Sequence, residues 1–287
     1  MIAVSLCLVS GSAHTGKANG TAGATRVPTA LRERTRMGDL DGKKAVVVGA
    51  SRGLGRGIAE ALGRSGASVL AIAREHRGLG ELTAACPSIQ TAVADAADPT
   101  LAGTVLDAQN PDILAVVAGA SPLLHPIHHH SWETFSLNWH VDVRLTFNWL
   151  REALLKPLRP GSRVLLMSSG AATHGSPMSG GYAGAKATIR FMAAYADDEA
   201  RRGGLGIRVV AVLPRLTPAT GLGLATVRNY AAREGVSEEQ FREMLGAPVT
   251  PRNAGQAFVT LASGELGSAV AYSLTGDDGL TALPALA

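Results

Sequence analysis

Short apolar runs recur along the chain, and segments with helical period separate them. A continuous apolar run bounded by turn residues is typical of a strand that helices cover on both faces, as in a parallel sheet. Runs of this kind occupy residues 44–48, 67–73, 89–95, 112–119, 163–167, 206–214 and 270–276. The pattern therefore predicts six or seven buried parallel strands.

Apolar residues three or four apart in the intervening segments predict helices, because this spacing places them on one face. The helical segments are residues 58–63, 131–155, 187–196, 227–233, 238–245 and 254–261. Alternating strands and helices predict an α/β fold, a single Rossmann-type doubly wound parallel β-sheet flanked by helices on both faces. No internal repeat or linker divides the later part of the chain, so we expect residues 37–287 to form one domain.

Residues 1–36 follow neither period. The apolar run at 2–9 is too short to span a membrane, and no basic residue precedes it as in a secretory signal. Glycine, alanine and threonine dominate the stretch that follows, up to three arginines near its end. We interpret residues 1–36 as a disordered N-terminal tail, with Met37 as a possible true start of the protein. A cleaved export signal is the alternative.

Composition narrows the class of protein. Of 287 residues 46% are hydrophobic and 17% charged, which is typical of a soluble protein with a large core. A formal net charge of +4 without a basic block favours neither nucleic-acid nor membrane partners. Two cysteines, Cys7 and Cys86, form no disulfide framework, so we expect a cytoplasmic location. His125 and the run 128–130 lack accompanying cysteines or paired acids, so we expect no metal site.

A glycine-rich turn follows the first strand and leads into a helix. This order places a pyrophosphate at the helix N-terminus, where free backbone amides and the helix dipole favour an anion. Glycines permit the tight turn and let the backbone approach the phosphate closely. The candidate cofactor-binding residues of this turn are Gly49, Ser51, Arg52, Gly53, Leu54 and Gly55. A turn that serves packing alone is the alternative.

The end of the second strand indicates which dinucleotide binds. A protein that prefers NAD usually carries an acid there, which accepts a hydrogen bond from the ribose 2′-hydroxyl. The first candidate here is Arg74, and Glu75 follows it. Arg52 and Arg74 together would clamp a 2′-phosphate, so we predict NADP as the cofactor, while Glu75 leaves NAD possible. Two solvated surface arginines are the alternative.

A serine, a tyrosine and a lysine follow the strand at 163–167, namely Ser169, Tyr182 and Lys186. Tyr182 and Lys186 are four residues apart and share one face of a predicted helix. A free phenol, with a pKa of about 10, is a poor acid–base catalyst at neutral pH, and a nearby ammonium favours its phenolate form. The three groups are suited to giving a proton to, or taking one from, a carbonyl or alcohol oxygen.

These residues resemble the short-chain dehydrogenase/reductases. In that family a tyrosine follows a serine by thirteen residues and a lysine follows four later, which is the spacing of Ser169, Tyr182 and Lys186. The Gly-x-x-x-Gly-x-Gly spacing of the turn is also that of the family, and the resemblance covers residues 38–286. It implies that Tyr182 is the general acid/base, that Ser169 bonds the reacting oxygen, and that Lys186 also binds the nicotinamide ribose.

The resemblance implies further cofactor contacts near the adenine ring, below the nicotinamide and at its amide. The matching residues are Asp95, Ala118, Gly119, Pro214 and Thr217. Asp98 lies close to Asp95, the candidate for the adenine contact. A helix cap is the alternative role for Asp98. Thr220 is an equal candidate for the amide contact. His174 is a candidate for lining the substrate pocket, and an exposed loop histidine is the equal alternative.

Several positions depart from the family pattern. Val116 and Val117 replace two asparagines of the family's Asn-Asn-Ala-Gly turn, so we expect packing alone to hold the floor of the cofactor site. Asp142 stands where the family has an asparagine that bends a helix and holds a water near the lysine. Asn138 is a fallback for that role, although an ordinary helix-surface residue is the favoured interpretation. Arg215 replaces a glycine.

The departure at Asp142 has a chemical consequence. An ionised carboxylate near Lys186 would hold the ammonium charged but offset its pull on Tyr182. We therefore count Asp142 among the catalytic candidates, with the hypothesis that catalysis survives with a shifted pH–rate profile.

The resemblance implies an oxidoreductase that moves hydride between a nicotinamide and a carbonyl or secondary alcohol, its small-molecule substrate. Residues 218–247 would form the variable substrate lid. Many relatives assemble through the helices beginning near Ser131 and Gly180, so a homodimer or homotetramer is expected. A non-catalytic NADP-binding sensor or scaffold of the same fold is the alternative, which the departures favour and the serine–tyrosine–lysine set opposes.

Overall fold

The computed structural model describes residues 39–218, 220–265 and 267–286. The tail expected at residues 1–36 lies outside the described residues. Eight strands lie within them: β1 (Lys44–Val48), β2 (Ser68–Ala73), β3 (Gln90–Val93), β4 (Ile113–Val116), β5 (Arg163–Met167), β6 (Arg208–Pro214), β7 (Ala271–Thr275) and β8 (Gly279–Ala282).

Helices connect the strands. They are α1 (Gly53–Arg64), α2 (His76–Ala85), α3 (Pro99–Gln109), α4 (Trp132–Asn138), α5 (Arg144–Leu155), α6 (Ala171–His174), α7 (Gly180–Arg202), α8 (Gly221–Glu234), α9 (Glu238–Leu245) and α10 (Pro251–Ser263). A π-helical turn, Trp139–Val143, joins α4 to α5. In the part of the chain that the structure describes, no helix has the length and apolar character needed to cross a membrane.

All eight strands form one sheet in the order β3-β2-β1-β4-β5-β6-β7-β8. The first seven run parallel, and β8 is antiparallel to β7. The chain leaves β3 at one edge and re-enters as β4 on the other side of β1, so the winding reverses between β1 and β4. Open sheets of this type bind ligands at the carboxyl ends of the strands beside such a reversal. The predicted parallel sheet is confirmed, with one antiparallel strand added.

The apolar runs reflect burial on both faces of the sheet. Successive side chains of a strand point to opposite faces. Val47 packs on one face with Ile58 and Phe258. Val48 packs on the other face with Trp149. Each fully buried aliphatic side chain stabilises the fold by about 1.5–3 kcal/mol, so two covered faces favour continuous apolar strands.

Helices α1 and α10 touch through glycines. A Cβ atom at Gly57 would lie 2.3 Å from the carbonyl oxygen of Pro251. A Cβ atom at Gly255 would lie 2.5 Å from the carbonyl oxygen of Gly57. The two backbones can approach this closely only because both side chains are absent. The contact fixes α1, whose first turn carries the glycine-rich segment.

Substituting Gly57 by alanine should therefore separate the two helices. We expect the free energy of unfolding to fall by about 1–3 kcal/mol, because the new methyl group meets backbone rather than a flexible side chain. Denaturant-induced unfolding measures the change.

Gly80→Ala is the matched control. Gly80 lies inside α2, and a Cβ atom there would meet nothing within 4 Å. This variant should be neutral or up to about 1 kcal/mol more stable, since alanine favours helix. Equal effects of the two substitutions would contradict the packing account.

Candidate active site

The glycine-rich turn brings three backbone segments together at the end of β1. Gly49 has a φ of 96°, and a Cβ atom there would lie 2.5 Å from the amide nitrogen of Ala118. A Cβ atom at Gly55 would lie 2.1 Å from the carbonyl oxygen of Gly49. Gly53 also has a positive φ, 58°. The turn therefore needs glycine for its conformation and for its close contacts.

The first turn of α1 offers free backbone amides. Its N-cap residue, Arg52, is extended and makes no side-chain cap, and the first turn holds no acidic residue. Leu54 packs against the core beneath the turn, and the carbonyl oxygen of Ser51 backs onto Gly78 of α2. An uncapped helix N-terminus with a glycine-lined approach is suited to a phosphate group.

Two arginines border this turn. Arg74 follows β2 directly, and the amides of Gly49 and Ala50 donate to the carbonyl oxygen of Ile72 in the same strand. Within the described ranges, the exposed guanidiniums of Arg52 and Arg74 have no ionic or hydrogen-bond partner. Two cations at one strand edge favour an anionic ligand group. Glu75 is also exposed, at the N-terminus of α2.

Another arginine of the same helix shows the contrast. Nε of Arg56 lies 3.0 Å from Glu60, and its Nη1 lies 3.2 Å from Glu81. These ion pairs occupy Arg56, so it does not compete with Arg52 and Arg74 as a ligand-binding cation.

Asp95 and Asp98 have different local roles. The amide of Ala97 donates to Asp95 Oδ1 at 3.1 Å, which stabilises the turn after β3. Asp98 caps α3, since its Oδ1 accepts from the amide of Thr100 at 2.8 Å. The helix-cap role therefore belongs to Asp98, and Asp95 remains exposed at the end of the strand.

Side chains hold the turn after β4, and packing alone does not, contrary to the expectation drawn from Val116 and Val117. The amide of Ala120 donates to Asp142 Oδ1 at 2.8 Å. Asn138 Nδ2 donates to the carbonyl oxygen of Ala120 at 2.8 Å. Asn138 is only 2% exposed, so the interpretation of this residue as a helix-surface position was wrong.

The π-helical turn explains how both side chains reach the same loop. The pattern predicted one uninterrupted helix over 131–155, whereas the structure widens it at Trp139–Val143. A π-helical turn adds one residue to the helical repeat and changes the direction of the side chains around it. Asn138 and Asp142 flank and enter this turn, and Asn138 Nδ2 lies 3.4 Å from Asp142 Oδ1.

Lys186 and Asp142 form a buried ion pair. The distance from Lys186 Nζ to Asp142 Oδ2 is 3.1 Å, and the side chains are 5% and 1% exposed. Lys186 Nζ also donates to the carbonyl oxygen of Met167, at the end of β5. A Cβ atom at Gly119 would lie 2.8 Å from Asp142 Oδ2, so glycine leaves room for the carboxylate.

Two opposing effects set the charge of Lys186. Burial is the largest single effect and lowers the pKa of Lys186, because a low-dielectric interior disfavours the ammonium. The charge of Asp142 and, next, the phenol of Tyr182 act in the opposite direction, and the pKa of Lys186 is raised above its ordinary value. The site therefore keeps a buried positive charge in the neutral range.

The structure brings Tyr182 and the end of β5 to this charge. Lys186 Nζ lies 5.6 Å from the ring centroid of the half-buried Tyr182. Ser168 Oγ donates to the carbonyl oxygen of Lys186, which holds the strand end against α7. Ser169 comes next, and its Oγ accepts from the amide of Ala171 at 3.3 Å. A hydroxyl, a phenol and an ammonium thus lie at one end of the sheet.

The start of α7 is fixed by close packing on α4. A Cβ atom at Gly181 would lie 1.9 Å from the carbonyl oxygen of Phe135. This contact, one residue before Tyr182, leaves the helix little freedom to shift. The phenol is therefore presented from a rigid position.

The segment after β6 passes close to both halves of the site. Gly170 donates its amide to the carbonyl oxygen of Pro214, and the exposed Arg215 donates its amide to Leu274. Thr217 Oγ1 lies 3.1 Å from Thr220 Oγ1. Thr220 accepts from the amide of Gly223 and so caps α8.

Neither His174 nor the histidines of the loop before α4 have a described contact with Ser169, Tyr182 or Lys186. His174 is exposed at the end of α6. His130 bonds within its own loop, through Thr134 Oγ1 and the carbonyl oxygen of His125. Among residues 39–218, 220–265 and 267–286, no three histidine, cysteine or acidic side chains are placed to hold a metal ion.

Comparison with known proteins assigns the chain to a family. A family model described as enoyl-(acyl carrier protein) reductase matches residues 49–281. Versicolorin reductase stcU of Emericella nidulans is 33% identical over 227 residues, which cover 75% of this chain and 83% of that protein. Hydroxynaphthalene reductase arp2 of Aspergillus fumigatus is 35% identical over 175 residues, 57% of this chain and 63% of that protein. The chain belongs to the short-chain dehydrogenase/reductase family, as the resemblance predicted.

Other relatives match over a smaller part of their length. L-xylulose reductase of Mesocricetus auratus is 34% identical over 105 residues, so the chain spans 43% of the length of that relative. A solved 3-ketoacyl-(acyl-carrier-protein) reductase from Brucella melitensis, complexed with NADH, superposes with a TM-score of 0.69. The match covers 83% of this chain and 99% of that chain at 22% identity, which shows a common fold.

Replacing Asp142 by asparagine should leave the buried ammonium without its counter-charge. We expect the free energy of unfolding near pH 7 to fall by about 3 kcal/mol. In the parent, the pKa of Lys186 in the folded protein is raised above the ordinary lysine value of about 10.4. The ion pair therefore contributes its full stability below that ordinary value, and the contribution is lost as pH rises through the raised pKa. In the variant Lys186 would release its proton at lower pH, so the deficit should shrink toward about pH 10.

Denaturant unfolding between about pH 7 and about pH 10 measures this deficit. Asp198→Asn is the matched control, because Asp198 pairs with Arg201 at 3.1 Å on the exposed face of α7. It should cost less than about 1 kcal/mol. A deficit for Asp142→Asn that equals the control, or that grows with pH, would contradict the account.

Proposed function

We propose that the protein is an oxidoreductase that transfers hydride between a nicotinamide dinucleotide and a carbonyl or secondary alcohol. The observation that carries the proposal is the buried, charged Lys186 beside Tyr182, at the strand ends where the glycine-rich turn lies. Membership of the short-chain dehydrogenase/reductase family supports it.

The residues around β1 fit the cofactor. A side chain at Gly49 or Gly55 would collide with the backbone of Ala118 or of the turn itself, so the tight turn that would face a pyrophosphate keeps its form only with glycine. The uncapped start of α1 would hold the phosphates. Asp95 would lie beside the adenine, and Ala118, Gly119, Pro214 and Thr217 would border the nicotinamide. A bound nicotinamide supplies or accepts the hydride.

The protein itself handles the proton. Tyr182 would donate a proton to the carbonyl oxygen in reduction and accept it in oxidation. The ammonium of Lys186 would stabilise the phenolate that forms, and Ser169 Oγ would donate to the reacting oxygen. Asp142 would keep Lys186 charged, and a shift of the pH–rate profile on its replacement stays a prediction.

Arg52 and Arg74 support NADP over NAD. Both are exposed at the edge of the turn without a partner among the described residues, so a 2′-phosphate would find two free guanidiniums. Glu75 keeps NAD as the second possibility.

The relatives named above are reductases, which supports reduction of a carbonyl as the first direction to test. Their names include a versicolorin reductase and a hydroxynaphthalene reductase, so fused-ring phenolic ketones belong in a first substrate panel.

Exposed aromatic side chains on α5 and α7 support a homodimer or homotetramer. Phe147 is 53% exposed and Phe191 is 56% exposed. Large apolar side chains in such positions are typical of interfaces between subunits.

The cysteine content supports a cytoplasmic location.

A non-catalytic NADP-binding sensor is the second candidate. The observation that favours it is the carboxylate of Asp142, where the family has an asparagine, together with Arg215 in place of a glycine. Turnover separates the two candidates.

Tyr182→Phe should remove turnover by at least about 100-fold, because the ring stays while the proton donor is lost. Cofactor affinity should change by less than about threefold, since the phenol is not expected to carry the binding energy. Turnover is measured as the loss of NADPH absorbance with each compound of a panel of carbonyl substrates. Cofactor affinity is measured by titrating NADPH and following fluorescence. Normal turnover in the variant would overturn the assignment, and binding without turnover in the parent would favour the sensor.

Arg74→Ser should weaken NADPH binding by about 10- to 100-fold and leave NADH binding nearly unchanged, because only NADPH carries a 2′-phosphate. Arg77→Ser is the matched control, since Arg77 is 87% exposed and pairs with Glu81. Equal losses for both dinucleotides would contradict a 2′-phosphate contact.

A further inference from the structure

Helix α8 extends between the two halves of the candidate site. At its N-terminus, Thr220 Cγ2 lies 3.5 Å from where a Cβ atom of Gly53 would be, in the glycine-rich turn. Near its C-terminus, the Tyr230 hydroxyl meets Ser176 Oγ, in the loop that precedes Tyr182. The helix has 14 residues and is about 21 Å long. It therefore crosses from the candidate cofactor turn to the candidate catalytic helix.

Helices α8 and α9 have a small hydrophobic cluster of their own. Its buried members are Val227, Ala231 and Phe241, separate from the two clusters that cover the sheet. The Tyr230 ring packs on Phe241 with centroids 6.1 Å apart. The partly buried Leu216, Val236 and Leu245 also pack against the cluster. Because this cluster is separate from those of the sheet, the two helices would move as one unit with a smaller loss of apolar contact than movement of the sheet helices.

Three hydroxyl groups connect this unit to the start of α7. Ser176 Oγ contacts both the Tyr230 hydroxyl and Ser179 Oγ, the latter at 2.6 Å. Ser179 is the N-cap residue of α7, yet its side chain does not cap the helix. A serine in that position normally accepts from the first-turn amides. Here the Ser179 hydroxyl, three residues before Tyr182, instead contacts Ser176 Oγ, which in turn contacts Tyr230 of α8.

A second contact reinforces the same junction. Arg233 Nη1 lies 3.7 Å from the sulfur of Met178, in the loop between Ser176 and Ser179. Both contacts come from the C-terminal half of α8. The N-terminal end of the helix, capped by Thr220, would act as the hinge.

We propose that Tyr230 is a latch, a positioning residue that holds the α8–α9 unit closed over the active site through Ser176 and Ser179. Substrate and product would pass when this hydroxyl contact breaks. Its effect on turnover rests on the proposed function, whereas its effect on lid opening does not. Loss of the hydroxyl should favour the open lid without disturbing Lys186 or its ion pair.

The first test is hydrogen exchange of the α8 backbone amides in the full-length protein without ligand. Tyr230→Phe and Ser176→Ala should each speed this exchange by about fivefold, the effect of one hydrogen bond. The double variant should match the single variants, because all three remove the same contact. Tyr272→Phe is the matched control, since its hydroxyl bonds Gly267 near the far edge of the sheet. It should leave α8 exchange unchanged.

Exchange in α8 that is unaltered by Tyr230→Phe, or that rises additively in the double variant, would overturn the latch.

The second test is steady-state turnover of an accepted carbonyl. Tyr230→Phe should raise KM by about fivefold and change kcat by less than about twofold, because substrate retention is lost while the chemistry is kept. A loss of kcat at constant KM would also overturn it. If Tyr230→Phe speeds α8 exchange but the parent protein turns over no carbonyl substrate, the proposed function is contradicted and the latch is supported.

Discussion

The buried ion pair between Lys186 and Asp142 determines much of the architecture around the site. Two charges removed from water are stable only if each meets an opposite charge and further polar partners. Met167 supplies a carbonyl oxygen to the ammonium, and Ala120 supplies an amide to the carboxylate. The pair therefore connects β5, α7, the π-helical turn and the loop after β4. Displacing any one of these elements would expose an unpaired charge to the interior.

The parallel sheet explains why these groups meet at all. Parallel strands end at one edge, so the glycine-rich turn after β1 and the serine after β5 are brought to the same side although they are far apart in the sequence. Close backbone contacts then set the positions, as Gly49 against Ala118 and Gly181 against Phe135 show. Glycine at these positions is as much a part of the site as the titratable side chains.

The apolar runs were sufficient to predict six or seven strands, and the structure has a strand at each of the seven runs, because burial on both faces produces a signal in the sequence alone. The helical period did not report α2. Strand β8 gave no such signal, because it has only four residues, Gly279–Ala282, and they are only partly apolar. The π-helical turn and the burial of Asn138 were missed for a different reason. Asn138 bonds Ala120, 18 residues away in sequence, and Asp142 in the π-helical turn bonds the same residue. No periodicity within the helix reports these contacts.

The site combines a rigid part with the lid proposed above. Lys186 and its carboxylate are both buried, and the helix that carries Lys186 packs on the sheet through Ile189 and Ala193, so movement there would break many buried contacts at once. Among the residues that the structure describes, the α8–α9 unit has three buried side chains in a cluster of its own, and it reaches the start of α7 through hydroxyl groups and the contact of Arg233 with Met178. Opening it costs far less free energy than unfolding the sheet. Entry of a substrate can therefore depend on the lid while the proton-transferring groups stay in place.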